Sequence, residues 1–155
     1  MNIFTQEWNY NDGGRENAGY KGITGDCVTR AIAIATGRDY QTVYDDLTTL
    51  TKTYVETHNN KVSRSIIRRK NFTPRRGVHK PVYMQYLKDL GWEWTPTMLI
   101  GQGVKVHLKA DELPKGAVIA RVSKHITAII DGVIQDTGNP SRGGTRAVYG
   151  YWTKP

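Results

Sequence analysis

Hydrophobic positions are sparse before residue 27. Asn11-Asp12-Gly13-Gly14 and the further glycines Gly19, Gly22 and Gly25 break a polar stretch that has no apolar period longer than a few residues. That pattern predicts loop, with room for one short strand. At Cys27 it changes. Val28, Ala31, Ile32, Ala33, Ile34 and Ala35 are apolar on nearly every side of a helix, and Thr36-Gly37 closes the run. A short buried helix fits, with Gly37 as its C-terminal cap and either Asp26 or Thr24 as its N-cap. Tyr40, Val43, Tyr44 and Leu47 recur at helical spacing and predict a second helix over about Tyr40 to Leu50.

Residues 51–80 are weakly patterned, which predicts irregular chain with a short helix around Arg64 to Lys70. Pro81 opens a third helix. Val82, Tyr83, Tyr86, Leu87 and Leu90 fall on one side of it, and Gly91 stops it. Beyond Trp92 the signal is strand: Glu93 to Thr95, Val104 to Leu108, Ala117 to Val122, His125 to Ile130, Val133 to Thr137 and Ala147 to Trp152. Asp131-Gly132 between two apolar runs is a hairpin turn signal. Helices first and antiparallel strands after define an α+β class, with N-terminal helices packed on a C-terminal antiparallel β-sheet. Residues 1–155 read as a single domain with a basic, irregular segment at about 51–80 and no internal repeat.

Composition narrows the chemistry. Cys27 is the single cysteine, so an intramolecular disulfide and a zinc site built on paired cysteines are both excluded, and a reducing compartment suits the chain. The N-terminal residues lack the basic and then apolar stretches of a signal peptide, and no apolar run approaches the ~20 residues that span a bilayer. A cytoplasmic protein with no membrane partner is expected. No two histidines have metal-ligand spacing, so neither a metal nor another cofactor is expected.

The net charge is +8, and the basic residues concentrate at Lys61, Arg64, Arg68, Arg69, Lys70, Arg75, Arg76 and Lys80, with no acidic residue between Asn59 and Pro81. Such a patch suits an acidic protein or peptide, or phosphates; its bland alternative is a solvated surface. Arg64, Arg68, Arg69, Arg75 and Arg76 are the candidate partner-binding residues.

A thiol attacks only when ionised, and an ordinary one ionises near pH ~8.5. Unpaired backbone N–H groups and the dipole at a helix start favour the thiolate, and Gly25-Asp26-Cys27 places the sulfur at such a start. The competing reading is a buried structural cysteine. A second element favours chemistry. With Asp131-Gly132 as a two-residue turn, Ile130 pairs with Val133, Thr127 lies across from Asp136, and His125 lies across from Gly138. His125 and Asp136 are then diagonal neighbours on one face. A carboxylate there can hold one imidazole nitrogen and leave the other for the thiol. Asn139, just past the strand, is the alternative orienting group. Among the other histidines, His107 is the reserve base, while His58 and His79 read as surface residues in the basic stretch.

Cysteine at a helix start, histidine at a strand start and Asp or Asn a strand later is an order that resembles the papain-like cysteine peptidase superfamily. The Asp26-Cys27 pair is similar to the Asp-Cys of the peptidase domains that trim bacteriocin leaders inside ABC transporters. The chain also resembles a group of small phage and bacterial proteins through Gly25 to Ile32, Ser123-Lys124-His125 with Asp131-Gly132, and Gly144-Thr145-Arg146 with Tyr149 to Trp152. The resemblance implies a papain-like fold and a cysteine hydrolase, or a related thiol-dependent acyl transferase. Its substrate would be a protein or peptide in the cytoplasm, a host component in the host cytoplasm if the chain is phage-encoded. Papain-like peptidases place a glutamine about six residues before the cysteine to help form the oxyanion hole; Lys21 stands there instead. A loop N–H, the Cys27 N–H, Asn17 or Lys21 itself is then the candidate donor.

The rival class is a non-catalytic binding module or inhibitor on the same fold, with the basic stretch as its contact surface and Cys27 in the core. Four tryptophans and nine tyrosines offer stacking surfaces for single strands, but core and hairpin packing is the favoured use of them, and nucleic acid is the less favoured partner.

Overall fold

The described residues, 6–22 and 25–155 of the computed structural model, form an α+β fold of four α-helices on one six-stranded mixed sheet. The helices are α1 (Cys27–Thr36), α2 (Tyr40–Thr57), α3 (Lys61–Arg69) and α4 (Lys80–Asp89). The strands are β1 (Trp8–Tyr10), β2 (Glu93–Pro96), β3 (Ala117–Val122), β4 (His125–Ile130), β5 (Val133–Asp136) and β6 (Gly150–Thr153), arranged β1-β5-β4-β3-β6-β2. None of the helices is long and apolar enough to cross a membrane.

Helix α1 forms where the apolar run begins, and Val28 to Ala33 are all buried. It packs across β4 and β3, with α2 laid on α1 and α4 on α2. Gly37 ends it in the left-handed conformation (φ 72°), which relieves the last turn as glycine does best. The sheet is apolar on both faces. Ile119, Ile126, Ala128 and Trp152 meet the helices, while Val118, Ala120, Val122 and Ile129 turn away to a second core with Leu108, Leu113, Ile134 and Val148. This alternation is the period-two geometry of a strand.

The hairpin register expected around Asp131-Gly132 is the one found, with Ile130 opposite Val133, Ile129 opposite Ile134 and Ala128 opposite Gln135. Both turn residues have positive φ (48° and 81°), the conformation of a two-residue turn that follows strand twist.

Three expectations need correction. The segment at 51–80 is largely helical. Helix α2 runs on to Thr57 because Thr51 continues the buried stripe of Tyr40, Val43 and Leu47, and the Thr48 and Thr51 hydroxyls donate to carbonyls one turn back. Helix α3 then starts at once on a reciprocal cap between Asn60 and Ser63 and anchors through buried Ile66. The stretch Val104 to Leu108 makes no strand; His107 forms one isolated bridge to Ala147, and Leu108 plugs the second core. Finally, the sheet is neither purely antiparallel nor purely C-terminal. β1 pairs parallel with β5, Trp8 beside Ile134 and Tyr10 beside Asp136, which adds the polar N-terminal segment to the sheet edge. Of the two N-cap candidates, Thr24 lies outside the described residues, and Asp26 flanks α1 without capping it through its side chain.

Trp94 and Trp152 stand opposite each other across β2 and β6, ring centroids 4.3 Å apart. The Trp94 ring lies over Gly150, where an added Cβ would run into it and approach Thr95 O at 2.8 Å. Gly150→Ala is therefore expected to destabilise the protein by about 1–3 kcal/mol, measured as a lower urea midpoint by tryptophan fluorescence. An unchanged midpoint would mean that Trp94 moves aside at no cost.

Candidate active site

Helix α1 packs on β4, and its first residue, Cys27, lines one groove with the first residue of that strand, His125. The half-buried thiol shares that groove with the His125 ring and Ile126. Burial pushes the Cys27 thiol up. The hydrogen bond and charge of His125, the Ile126 backbone and the Arg30 charge outweigh burial and bring it below its ordinary value.

On the other side of the ring, His125 Nε2 lies 2.7 Å from Asp136 Oδ2, which leaves Nδ1 for the thiol. Burial lowers the ring pKa, but the bonds with Asp136 and Cys27 prevail and raise it to about 9. The imidazole therefore carries its proton at neutral pH, and its charge favours the thiolate form of Cys27.

Asp136 is held by four donors. Oδ2 accepts from His125 and from the Thr127 hydroxyl (2.7 Å); Oδ1 accepts from Thr137 N–H (2.7 Å) and from Arg30 Nη2 (3.5 Å). Burial raises this carboxyl, yet the His125 bond and charge, Thr127 and Thr137 together keep it below the usual carboxylate range. Behind it, Arg30 is only 7% exposed and is ion-paired with Asp26 one helical turn earlier, itself 1% exposed. Asp26 also accepts from the Tyr40 hydroxyl at 2.5 Å and lies 3.5 Å from Arg15 Nη1. Burial and the bond to Asp26 push the Tyr40 hydroxyl up, so it stays a donor.

Cys27 and His125 open into a groove of about 540 Å³. Arg76, His79, Arg121 and Lys124 line it together with Tyr83 and Val78. The basic segment is thus not remote from the chemistry. Gly25 N–H donates to Arg75 O (2.9 Å), and the backbone of Arg76 lies 3.4 Å from where a Gly25 Cβ would sit, so residues 75–80 wall the nucleophile. His79, expected at the surface, lines this groove; burial and then the Arg69 charge hold its pKa down.

The other candidates fall elsewhere. Asn139 does not orient His125: its Oδ1 accepts from Ser141 N–H (3.1 Å) and Oγ (2.6 Å), and its amide reaches Gln6 O (3.5 Å). Asn17 and Lys21 are exposed and do not line the groove; the Lys21 carbonyl accepts from Arg75 Nη2 at 3.1 Å. Of the donors considered for an oxyanion, the Cys27 N–H at the helix start is the one at the sulfur itself. His107 pairs with Glu112 (3.2 Å), and His58 stacks on Tyr54 at 4.0 Å. Arg64 reaches Asn59 Oδ1 (3.3 Å) on an exposed face, and Arg68 and Arg69 end α3 in solvent. Arg30 went unnoticed as a site residue in the sequence, although a lone charge within an apolar helix, spaced four from an aspartate, is a signal of a buried pair.

Compared with family models, curated proteins and solved structures, the chain matches none, so any assignment of class rests on this geometry.

The pair should react as a thiolate well below the ordinary thiol range. At pH 6 a thiol of pKa ~8.5 is ionised to less than about 1%. Iodoacetamide is expected to modify native Cys27 about ten-fold faster than a model thiol at that pH, the gain being limited because nucleophilicity falls with pKa. His125→Ala should remove the advantage, and equal rates for parent and model thiol would mark Cys27 as an ordinary cysteine.

The orienting carboxylate is tested separately by NMR titration of the His125 ring, whose proton should leave as pH rises through about 9. Asp136→Asn removes the charge that holds that proton, so the titration should move toward 6.5 and alkylation should slow, while Asn139→Ala leaves both in place. The reverse pattern would transfer the orienting role to Asn139.

Proposed function

We propose that the protein is a papain-like cysteine hydrolase acting on a protein or peptide. The observation that carries this reading is the line Cys27–His125–Asp136, with the thiol at a helix start and an open groove in front of it. The thiolate attacks the substrate carbonyl carbon; a C–S bond forms and the carbonyl electron pair moves onto oxygen. The Cys27 N–H, at the positive end of α1, is placed to meet that negative charge. When the intermediate collapses, the C–N bond breaks and the leaving nitrogen takes the His125 proton. Water then attacks the thioester, His125 accepts its proton, and loss of the thiolate releases the acid. Asp136 keeps the ring oriented and stabilises its charge in both halves.

An alternative acceptor for the acyl group would make the same site a transferase, and water as the acceptor is the simpler case. The test uses a cytoplasmic extract treated with the parent or with Cys27→Ala, followed by mass-spectrometric mapping of new protein N-termini. The parent should create termini that are absent from the Cys27→Ala sample, and His125→Ala should reduce their rate of appearance by roughly a thousand-fold or more. A parent that alkylates fast at pH 6 yet creates no termini would turn the reading toward a transferase or a binding module.

A further inference from the structure

On the far side of His125 lies a second hollow, of about 570 Å³, into which Lys124, Arg142 and Arg146 face together with Asn139. Lys124 and His125 border both hollows, so the two meet at the imidazole. The acid in this wall, Asp136, is buried and fully engaged by its four donors. Among the described residues none of the three cations is ion-paired. Three cations thus meet one carboxylate, itself already engaged, in the wall beyond His125.

The backbone adds an independent observation. Lys124 (φ 57°) and Arg142 (φ 53°) are two of the four described non-glycine residues held in the left-handed region. Glycine takes that conformation freely, whereas a residue with a Cβ is strained in it. Gly143 and Gly144 follow Arg142 directly with the same sign of φ, yet long cations stand at the two positions that face the hollow. A turn needs no charge there, whereas an anionic ligand does. Arg146 is fixed from behind, donating to the carbonyls of Pro140 (3.2 Å) and Ser123, so its guanidinium is ordered before any ligand arrives. Burial and then the Arg142 charge lower the Arg146 pKa, and both residues line the same hollow.

Resting on the hydrolase reading, we propose that this hollow is a substrate subsite for an acidic side chain, so that the peptide attacked at Cys27 carries Asp or Glu close to the reacting carbonyl. Arginine meets a carboxylate with two parallel N–H donors, and Lys124 adds a charge at the junction of the two hollows. The groove before Cys27 continues the same sign through Arg76, Arg121 and Lys124. An anionic peptide is drawn in along the whole track. Nucleic acid would meet the charge equally well, but it offers no acyl carbon to the thiolate.

The test uses four probes: a chloroacetyl group at the N-terminal or the C-terminal end of a tri-glutamate, and the same two placements on a tri-glutamine. Cys27 Sγ bonds to the chloroacetyl CH2 carbon and chloride leaves with the electron pair, which intact mass follows over time. In about 50 mM salt at least one glutamate probe should react about ten-fold faster than its glutamine twin, and the ratio should shrink in about 500 mM salt. Lys124→Gly and Arg142→Gly should bring that ratio toward one while the thermal midpoint holds or rises, because glycine relieves the left-handed strain. Equal rates within both probe pairs, or a ratio that neither variant changes, would overturn the subsite. So would a labelled single-stranded 20-mer whose binding falls in both variants while the probes show no charge preference. Slow reaction of the parent with iodoacetamide at pH 6 is instead the mark of a failed hydrolase reading, and it is read apart from the charge ratio.

Discussion

The protein's organising interaction is a guanidinium buried between two carboxylates. Arg30 sits in an apolar helix, where a charge is tolerable only if anions meet it. Asp26, one turn earlier, supplies the first; Asp136, at the end of β5, supplies the second at 3.5 Å. The contact thereby joins α1 to β5, the helix that bears the nucleophile to the strand that bears the orienting group. Each carboxylate has further donors of its own, while the buried Arg30 charge is met by these two acids.

Followed outward, the same interaction becomes a series of alternating sign. Arg15, Asp26, Arg30, Asp136, His125 and Cys27 each lie beside an opposite charge when the thiol is ionised. The group that ends the series at the groove, Cys27, is the proposed nucleophile. Burial works against ionisation at Cys27, His125 and Asp136 alike, and in each case specific partners reverse it. The site is thus set by placed charges and hydrogen bonds, with the helix start as an added influence on the sulfur.

What could be read from the sequence follows which constraints are local. The two-residue turn at Asp131-Gly132 fixes pairing by itself, so His125, Thr127 and Asp136 could be placed on one face without knowing anything else of the sheet. Helix α1 was equally legible, because Cys27 to Gly37 carries both its apolar run and its stop. The misses arise where polar residues are buried or where the partner is distant in sequence. The helical stripe of α2 continues through threonines, which look polar until Leu47 and Thr51 are seen to be buried together. The parallel partner of β1 is more than a hundred residues away, and no pattern in Trp8-Asn9-Tyr10 announces it. The wall made by residues 75–80 arises from a backbone contact with Gly25, invisible to any periodicity.

The separation of Cys27 from β4 and β5 also sets an order of events during synthesis. The nucleophile's helix leaves the ribosome long before the hairpin that carries His125 and Asp136 exists, and contacts of such sequence range close late. Until that hairpin forms and docks, the cysteine is a plain thiol, and Asp26 and Arg30 have only each other and their near neighbours. On the proposed reading, reactivity is therefore acquired with the completed sheet, and a nascent or partly folded chain carries no armed nucleophile into the cell.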